Sequence, residues 1–110
     1  MIQQLTAKYI IAETFKMAGR GVVFAGYIDE GIVSIGDIIE FNAFDMLRQR
    51  KIIGVEGLTI SQSNKINTGL LIKCENEIEM DELRNWKPNN QVAIIYKSET
   101  PNPLHDLERI

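Results

Sequence analysis

The densest basic run in the chain is Arg48-Gln49-Arg50-Lys51. Side chains on a β-strand alternate between faces, so Arg48 and Arg50 share one. Two guanidinium groups placed this way suit phosphate oxygens, which their planar forks match geometrically. Arg20, between Gly19 and Gly21, is a further cation at the tip of a turn. Arg20, Arg48, Arg50 and Lys51 are therefore the candidate contacts for RNA or for a protein partner. Phe44, Trp86 and Tyr96 are the aromatic candidates for base stacking, although nothing in the sequence places them beside the arginines. The competing reading is a solvated strand face for the run and, for Arg20, a side chain that pins its turn to a neighbouring loop.

Acidic residues gather in Cys74-Glu-Asn-Glu-Ile-Glu-Met-Asp-Glu82. If this segment is extended, Glu75, Glu77, Glu79 and Asp81 share a face. Four carboxylates attract a hard cation, but the segment lacks the glycine and spacing of a calcium loop, and no metal is expected. A charged rim or a partner-facing strand fits better, and it would repel RNA. Cys74 and His105 are single members of their types. A Cys-His nucleophile needs hydrogen-bond reach between the two; His105 lies in a proline-containing tail, and Cys74 ends an apolar run where a cysteine is usually a small buried hydrophobe. No catalytic set is assembled, and the chain reads as a non-enzyme.

Five of the eight glycines fall within residues 16–37, KMAGRGVVFAGYIDEGIVSIGD. A phosphate loop needs G-x-x-x-x-G-K-[ST] opening a helix, but Tyr27 and Ile28 follow Gly26. The dinucleotide fingerprint fails at Phe24. The residues after Gly21 read as a strand, so no helix N-terminus would meet an anion, and no nucleotide cofactor is expected. Hairpin turns account for the glycines: Gly19, Gly21, Gly31 and Gly36 at connections, Gly26 at a bend or bulge.

The elements that must position these residues are β-strands. Short runs rich in Val, Ile, Phe and Tyr, broken by Gly, Asn and Asp, predict strands near residues 8–17, 21–29, 37–43, 48–56, 67–74 and 91–97. In the second, Val22, Phe24, Gly26 and Ile28 share one face and Val23, Ala25 and Tyr27 the other, so both faces are covered or the strand lies at a barrel seam. Residues 80–86, MDELRNW, predict one or two helical turns. Six short strands with tight connections favour a closed all-β barrel, which removes exposed edges; an open sandwich is the structural alternative. With 110 residues, the chain fits one domain of about 100–150 residues, read as a barrel over 1–98 and a tail over 99–110. The formal charge of −3 argues against a general nucleic-acid coat. No run is long and apolar enough to span a membrane, no signal peptide is evident, and one cysteine excludes an internal disulfide framework. These features fit a cytoplasmic protein.

FKMAGRGVVFAGYIDEGIVSIGDIIEF (residues 15–41) resembles the second, β-barrel domain of translational GTPases such as elongation factor Tu. The family's strand leads into a Gly-Arg-Gly turn, here Gly19-Arg20-Gly21. A later Gly turn and a Gly-Asp pair follow, here Glu30-Gly31 and Gly36-Asp37. IIGVEGL (52–58), INTGLLIK (66–73) and IEMDELRNWKPNNQVAI (78–94) resemble its later segments in the right order. The resemblance spans roughly residues 8–97 and implies a small six-stranded Greek-key-like barrel. Val22 and Ala25 stand where the family often has threonine, and the 110 residues contain no phosphate loop, Asp-x-x-Gly switch or Asn-Lys-x-Asp motif. Nucleotide hydrolysis is therefore not implied.

Two functional readings follow. In the family the barrel helps hold the aminoacyl end of tRNA and dock on the ribosome, which implies RNA or a ribonucleoprotein as partner. The alternative is a protein-interaction or regulatory module, with the acidic segment 75–82 and the C-terminal PLHDLERI as its surfaces; Leu104, Leu107 and Ile110 of that tail offer an apolar face. The placement of the cations separates the two. Convergence on one face away from the acids favours RNA, and pairing with acids favours a protein partner.

Overall fold

The computed structural model describes residues 4–58 and 66–98; most of the SQSNKIN connection (61–67) and the tail with Leu104, His105, Leu107 and Ile110 lie outside them. Six strands form, β1 (Leu5–Met17), β2 (Gly21–Gly31), β3 (Ile38–Ala43), β4 (Met46–Gly57), β5 (Thr68–Ile72) and β6 (Gln91–Tyr96), with one helix, α1 (Glu77–Arg84), between the last two. All pairings are antiparallel, and the sheet closes in the order β1-β2-β5-β4-β3-β6. The meander β3-β4-β5 lies beside β2, the strand that precedes it, which is a Greek-key arrangement. The expected fold class is the observed one.

Period-two alternation builds the core. Ala7, Tyr9 and Ile11 of β1, Val22 and Phe24 of β2, Ile39, Phe41 and Ala43 of β3, Leu70 and Ile72 of β5, and Ala93 and Ile95 of β6 are buried in one cluster. On the other face of β2, Val23 and Ala25 are buried too, which explains why both faces of that strand read as apolar. Phe24, Phe41 and Trp86 form an aromatic triad with centroids 4.9 to 5.7 Å apart. Four register shifts curl the sheet shut: one beside Gly26, where Ala12 is the extra residue, one at Asp29, one at Thr6 and one at Ile53. Tyr9 Oη lies 2.8 Å from the Phe24 carbonyl and 2.7 Å from that of Thr68, donating to one or the other across the barrel. Burial raises its pKa.

Two turns at the same end of the barrel treat the backbone differently. Asn89 and Asn90 both take positive φ in the turn that enters β6, and asparagine tolerates that region. Phe44 and Asp45 also take positive φ, at 55° and 61°, in the two-residue β3–β4 turn closed by the Ala43–Met46 pair. This geometry favours Asn-Gly, and a phenylalanine there is strained. Replacing Phe44-Asp45 by Asn-Gly is expected to stabilise the barrel by about 1 kcal/mol, read as a rise of a few degrees in melting temperature.

The acidic segment departs from expectation. It is helical from Glu77, three residues before the predicted start, and ends at Arg84, before Trp86. The helix begins there because Asn76 caps it, its Oδ1 accepting from the Glu79 N–H at 2.9 Å. Helical geometry therefore replaces the shared extended face of Glu75, Glu77, Glu79 and Asp81. Leu83 is fully buried, and Met80 and Trp86 pack against the core. Thr14 of β1 donates to the Leu83 carbonyl at 2.7 Å. Lys16 Nζ reaches Glu77 at 3.2 Å and Asp81 at 2.9 Å, tying α1 to β1. The hydrogen bond from Lys16 lowers the Asp81 pKa.

Candidate functional site

The register of the β3–β4 hairpin decides where the arginines point. Arg48 pairs with Phe41 and Arg50 with Ile39, and directly opposed residues share a face. Phe41 and Ile39 belong to the core. Arg48 and Arg50 therefore continue the inner face of the barrel, in line with the buried Ile52. The helix α1 packs on β1 and β2 and reaches this stretch of β4 with a carboxylate in place of an apolar side chain.

That carboxylate is Glu79. Arg50 forks onto it, Nε to Oε1 at 3.0 Å and Nη2 to Oε2 at 2.6 Å, and Arg48 Nη1 donates to Oε2 at 2.8 Å. The Glu75 N–H supplies a fourth donor at 2.8 Å. The Glu79 side chain is 6% exposed, that of Arg48 9% and that of Arg50 16%. Burial pushes the Glu79 pKa up, but the hydrogen bonds from Arg50, the Glu75 N–H and Arg48 outweigh it, and the net shift is downward. Glu75 and Glu82 flank the triad at 3.7 Å from Arg50 and 3.9 Å from Arg48. Among the described residues, Arg48 Nε is buried without a hydrogen-bond partner.

Above the triad lies an open cleft of about 700 Å³. Met46 of β4 and Ile78 and Glu82 of α1 line it together with Arg48, Arg50 and Glu79; Leu47 also borders it but alternates to the opposite face of β4. Phe44 stands at the hairpin tip beside it, with the Arg48 guanidinium 5.7 Å from its ring centroid. Phe44, Met46, Leu47 and Ile78 are each more than half exposed. No sequence motif marked these four as a group, because they come from a turn, a strand and a helix.

The remaining candidates are dispersed. Lys51 is exposed on β4, on the face opposite Arg50, and Arg20 is exposed in the β1–β2 turn with its N–H on the Met17 carbonyl at 2.9 Å. The four cations thus do not form one surface. Gly19 and Gly21 lie in or beside that turn, and Gly31 ends β2. Gly36, at φ 101°, and Asp37 form the turn that opens β3. The Asp37 carboxylate accepts from the Ser34 N–H at 2.8 Å, and its backbone N–H donates to the Ser34 carbonyl at 3.0 Å. Of the stacking candidates, Trp86 is in the core, Tyr96 is half-buried on β6, and Phe44 stands near Arg48.

Chemical reactivity finds little support among these groups. Burial pushes the Cys74 thiol up to about 11, opposite to what a thiolate nucleophile needs; its would-be partner His105 lies outside the described residues. Among the described residues, no group of three or more His, Cys, Asp or Glu side chains is arranged to hold a metal ion, and no helix is long and apolar enough to cross a membrane.

Comparison with known proteins gives one informative likeness. The apicoplast elongation factor Tu of Theileria parva is 36% identical over 67 residues, covering 57% of this chain and 16% of that protein. The chain thus corresponds to a small part of that relative's length. No protein-family model and no solved structure matches. Similarity and closed barrel together are consistent with a translation-factor-like barrel module.

Proposed function

We propose that this barrel is a noncatalytic protein-interaction module, built like the second domain of translational GTPases, that presents the face formed by the β3–β4 hairpin and α1. The observation that carries this reading is the Arg48–Glu79–Arg50 triad. Two of the cations that would have met RNA phosphates, Arg48 and Arg50, are turned to the inner face and paired with a carboxylate of the same chain. What remains outward on α1 is largely acidic, and the four exposed apolar side chains beside it are the kind of patch that marks a protein contact.

The test is a titration of the purified chain with labelled tRNA and with a generic RNA across a salt series. Phosphate binding weakens steeply with salt. The expected result is no salt-sensitive binding at low ionic strength. Binding that is lost in Arg20→Ala with Lys51→Ala, both exposed and dispensable to the core, would overturn the protein-partner reading and favour RNA, the partner that the likeness to an elongation factor suggests.

A further inference from the structure

We infer that the cleft between the β3–β4 hairpin and α1 takes a short peptide segment of a partner that combines apolar side chains with lysine or arginine. This rests on the protein-interaction reading above and names its surface and chemistry.

Three observations converge on that ligand. First, apolar side chains edge an open cleft: Met46 of β4 and Ile78 of α1 line it, and Phe44 stands exposed at the hairpin tip beside it. Second, the charge that meets solvent is negative. The lining holds two cations and three acids, Arg48 and Arg50 against Glu75, Glu79 and Glu82. The guanidinium side chains are 9% and 16% exposed, whereas Glu75 and Glu82 are 68% and 51% exposed. A cation approaching the rim meets two accessible carboxylates, while an anion meets them before it reaches either arginine. Third, the hairpin tip is strained in a way that serves exposure. Phenylalanine at φ 55° costs stability that the Asn-Asn turn at residues 89–90 avoids, and the strained residue is an exposed aromatic next to the cleft. A fold that carries such a tip gains contact area there.

Recognition then divides by chemistry. The apolar side chains of the segment enter between Met46 and Ile78, and its lysines or arginines pair with Glu75 and Glu82. The triad beneath holds the two walls at a fixed separation, because Glu79 on α1 bridges Arg48 and Arg50 on β4.

The probe is a short fluorescein-labelled peptide of alternating Leu and Lys pairs, with a Leu/Glu peptide of equal length as control, titrated into the full 110-residue chain. Binding is followed by anisotropy and mapped by amide chemical shifts. The expected result is binding of the Leu/Lys peptide alone, with shifts confined to residues 44–50 and 75–82. Met46→Ser with Ile78→Ser should weaken it about tenfold, in the range of interface hot spots. Glu75→Gln with Glu82→Gln should weaken it and flatten its salt dependence. Phe44-Asp45→Asn-Gly should weaken it while raising the melting temperature, which separates lost contact from lost fold. Equal binding of the Leu/Glu peptide, shifts elsewhere, or no binding of either peptide would overturn the inference. The RNA titration reports separately on the broader reading: without salt-sensitive RNA binding, only the cleft assignment falls.

Discussion

Gly26→Ala is expected to unfold a large share of the protein at ambient temperature, or to lower the melting temperature by at least about 10 °C, a loss of about 3 kcal/mol or more. A Cβ at this position would overlap the Ile10 carbonyl oxygen and lie 2.9 Å from the carbonyl carbon and 3.3 Å from the Ala12 nitrogen. All three are backbone atoms of β1, so no rotamer change relieves the clash. Relief requires prising β1 from β2 at the place where Ala12 bulges and the register steps from Ile11–Gly26 to Glu13–Ala25. That bulge bends β1, which pairs with β2 on both sides of it and with β6 before it. Gly57→Ala is the matched control. Nothing lies within 4 Å of a Cβ there, and the change should fall within about 0.5 kcal/mol of the parent. Thermal melts of the two variants beside the parent check both expectations. Equal stability of the two would show that the β1–β2 approach at Gly26 is looser than described.

The barrel was legible because its signals are local. Alternation in β1, β2 and β6 and glycines at connections are read within a few residues, and strand limits differ from expectation by at most three positions. The glycine inside an otherwise apolar strand pointed to an irregularity at Gly26, although the extra residue is Ala12 on the facing strand. The candidate site was less legible because it depends on register between segments. Arg48 and Arg50 read as an outward basic face when taken alone. Their parity with Ile52 was the available sign that they share the core's face, since residues two apart on a strand point the same way. Asn76 with Glu79 was a helix-start signal, a capping residue three positions before an acid, and weighing it would have moved the helix onset to Glu77. Nothing local pairs Glu79 with residues on β4, or brings Ile78 to the same cleft as Met46. Those neighbours exist only once β3–β4 and α1 have packed.

Glu79→Ala should cost about 3–5 kcal/mol, because it leaves two guanidinium groups largely desolvated with no carboxylate between them. Glu75 and Glu82 are 3.7 and 3.9 Å away and mostly exposed, too weakly coupled to replace it. Glu79→Gln should be milder, since an amide oxygen still accepts from one arginine. The same triad sets an acid limb. The pKa of Glu79 is lowered in the folded chain from its ordinary 4.5, so between the two values the unfolded state binds the proton more readily. Its contribution is therefore full above about pH 4.5 and disappears as pH falls through the folded value. Chemical denaturation at pH 7 and at pH 3.5 should show the parent losing stability toward acid, and Glu79→Gln losing less. The apolar replacement Arg48→Met, Arg50→Leu, Glu79→Leu makes the discriminating comparison. Removing all three charges together avoids the orphaned ion, and such replacements are often neutral or stabilising. A triple variant as stable as the parent, alongside a crippled Glu79→Ala, would mean that the triad sets the register of α1 on β4 rather than supplying net stability. The cleft walls would then keep their spacing only as well as the new apolar contacts hold it, and binding of the Leu/Lys peptide to the triple variant reads that out directly.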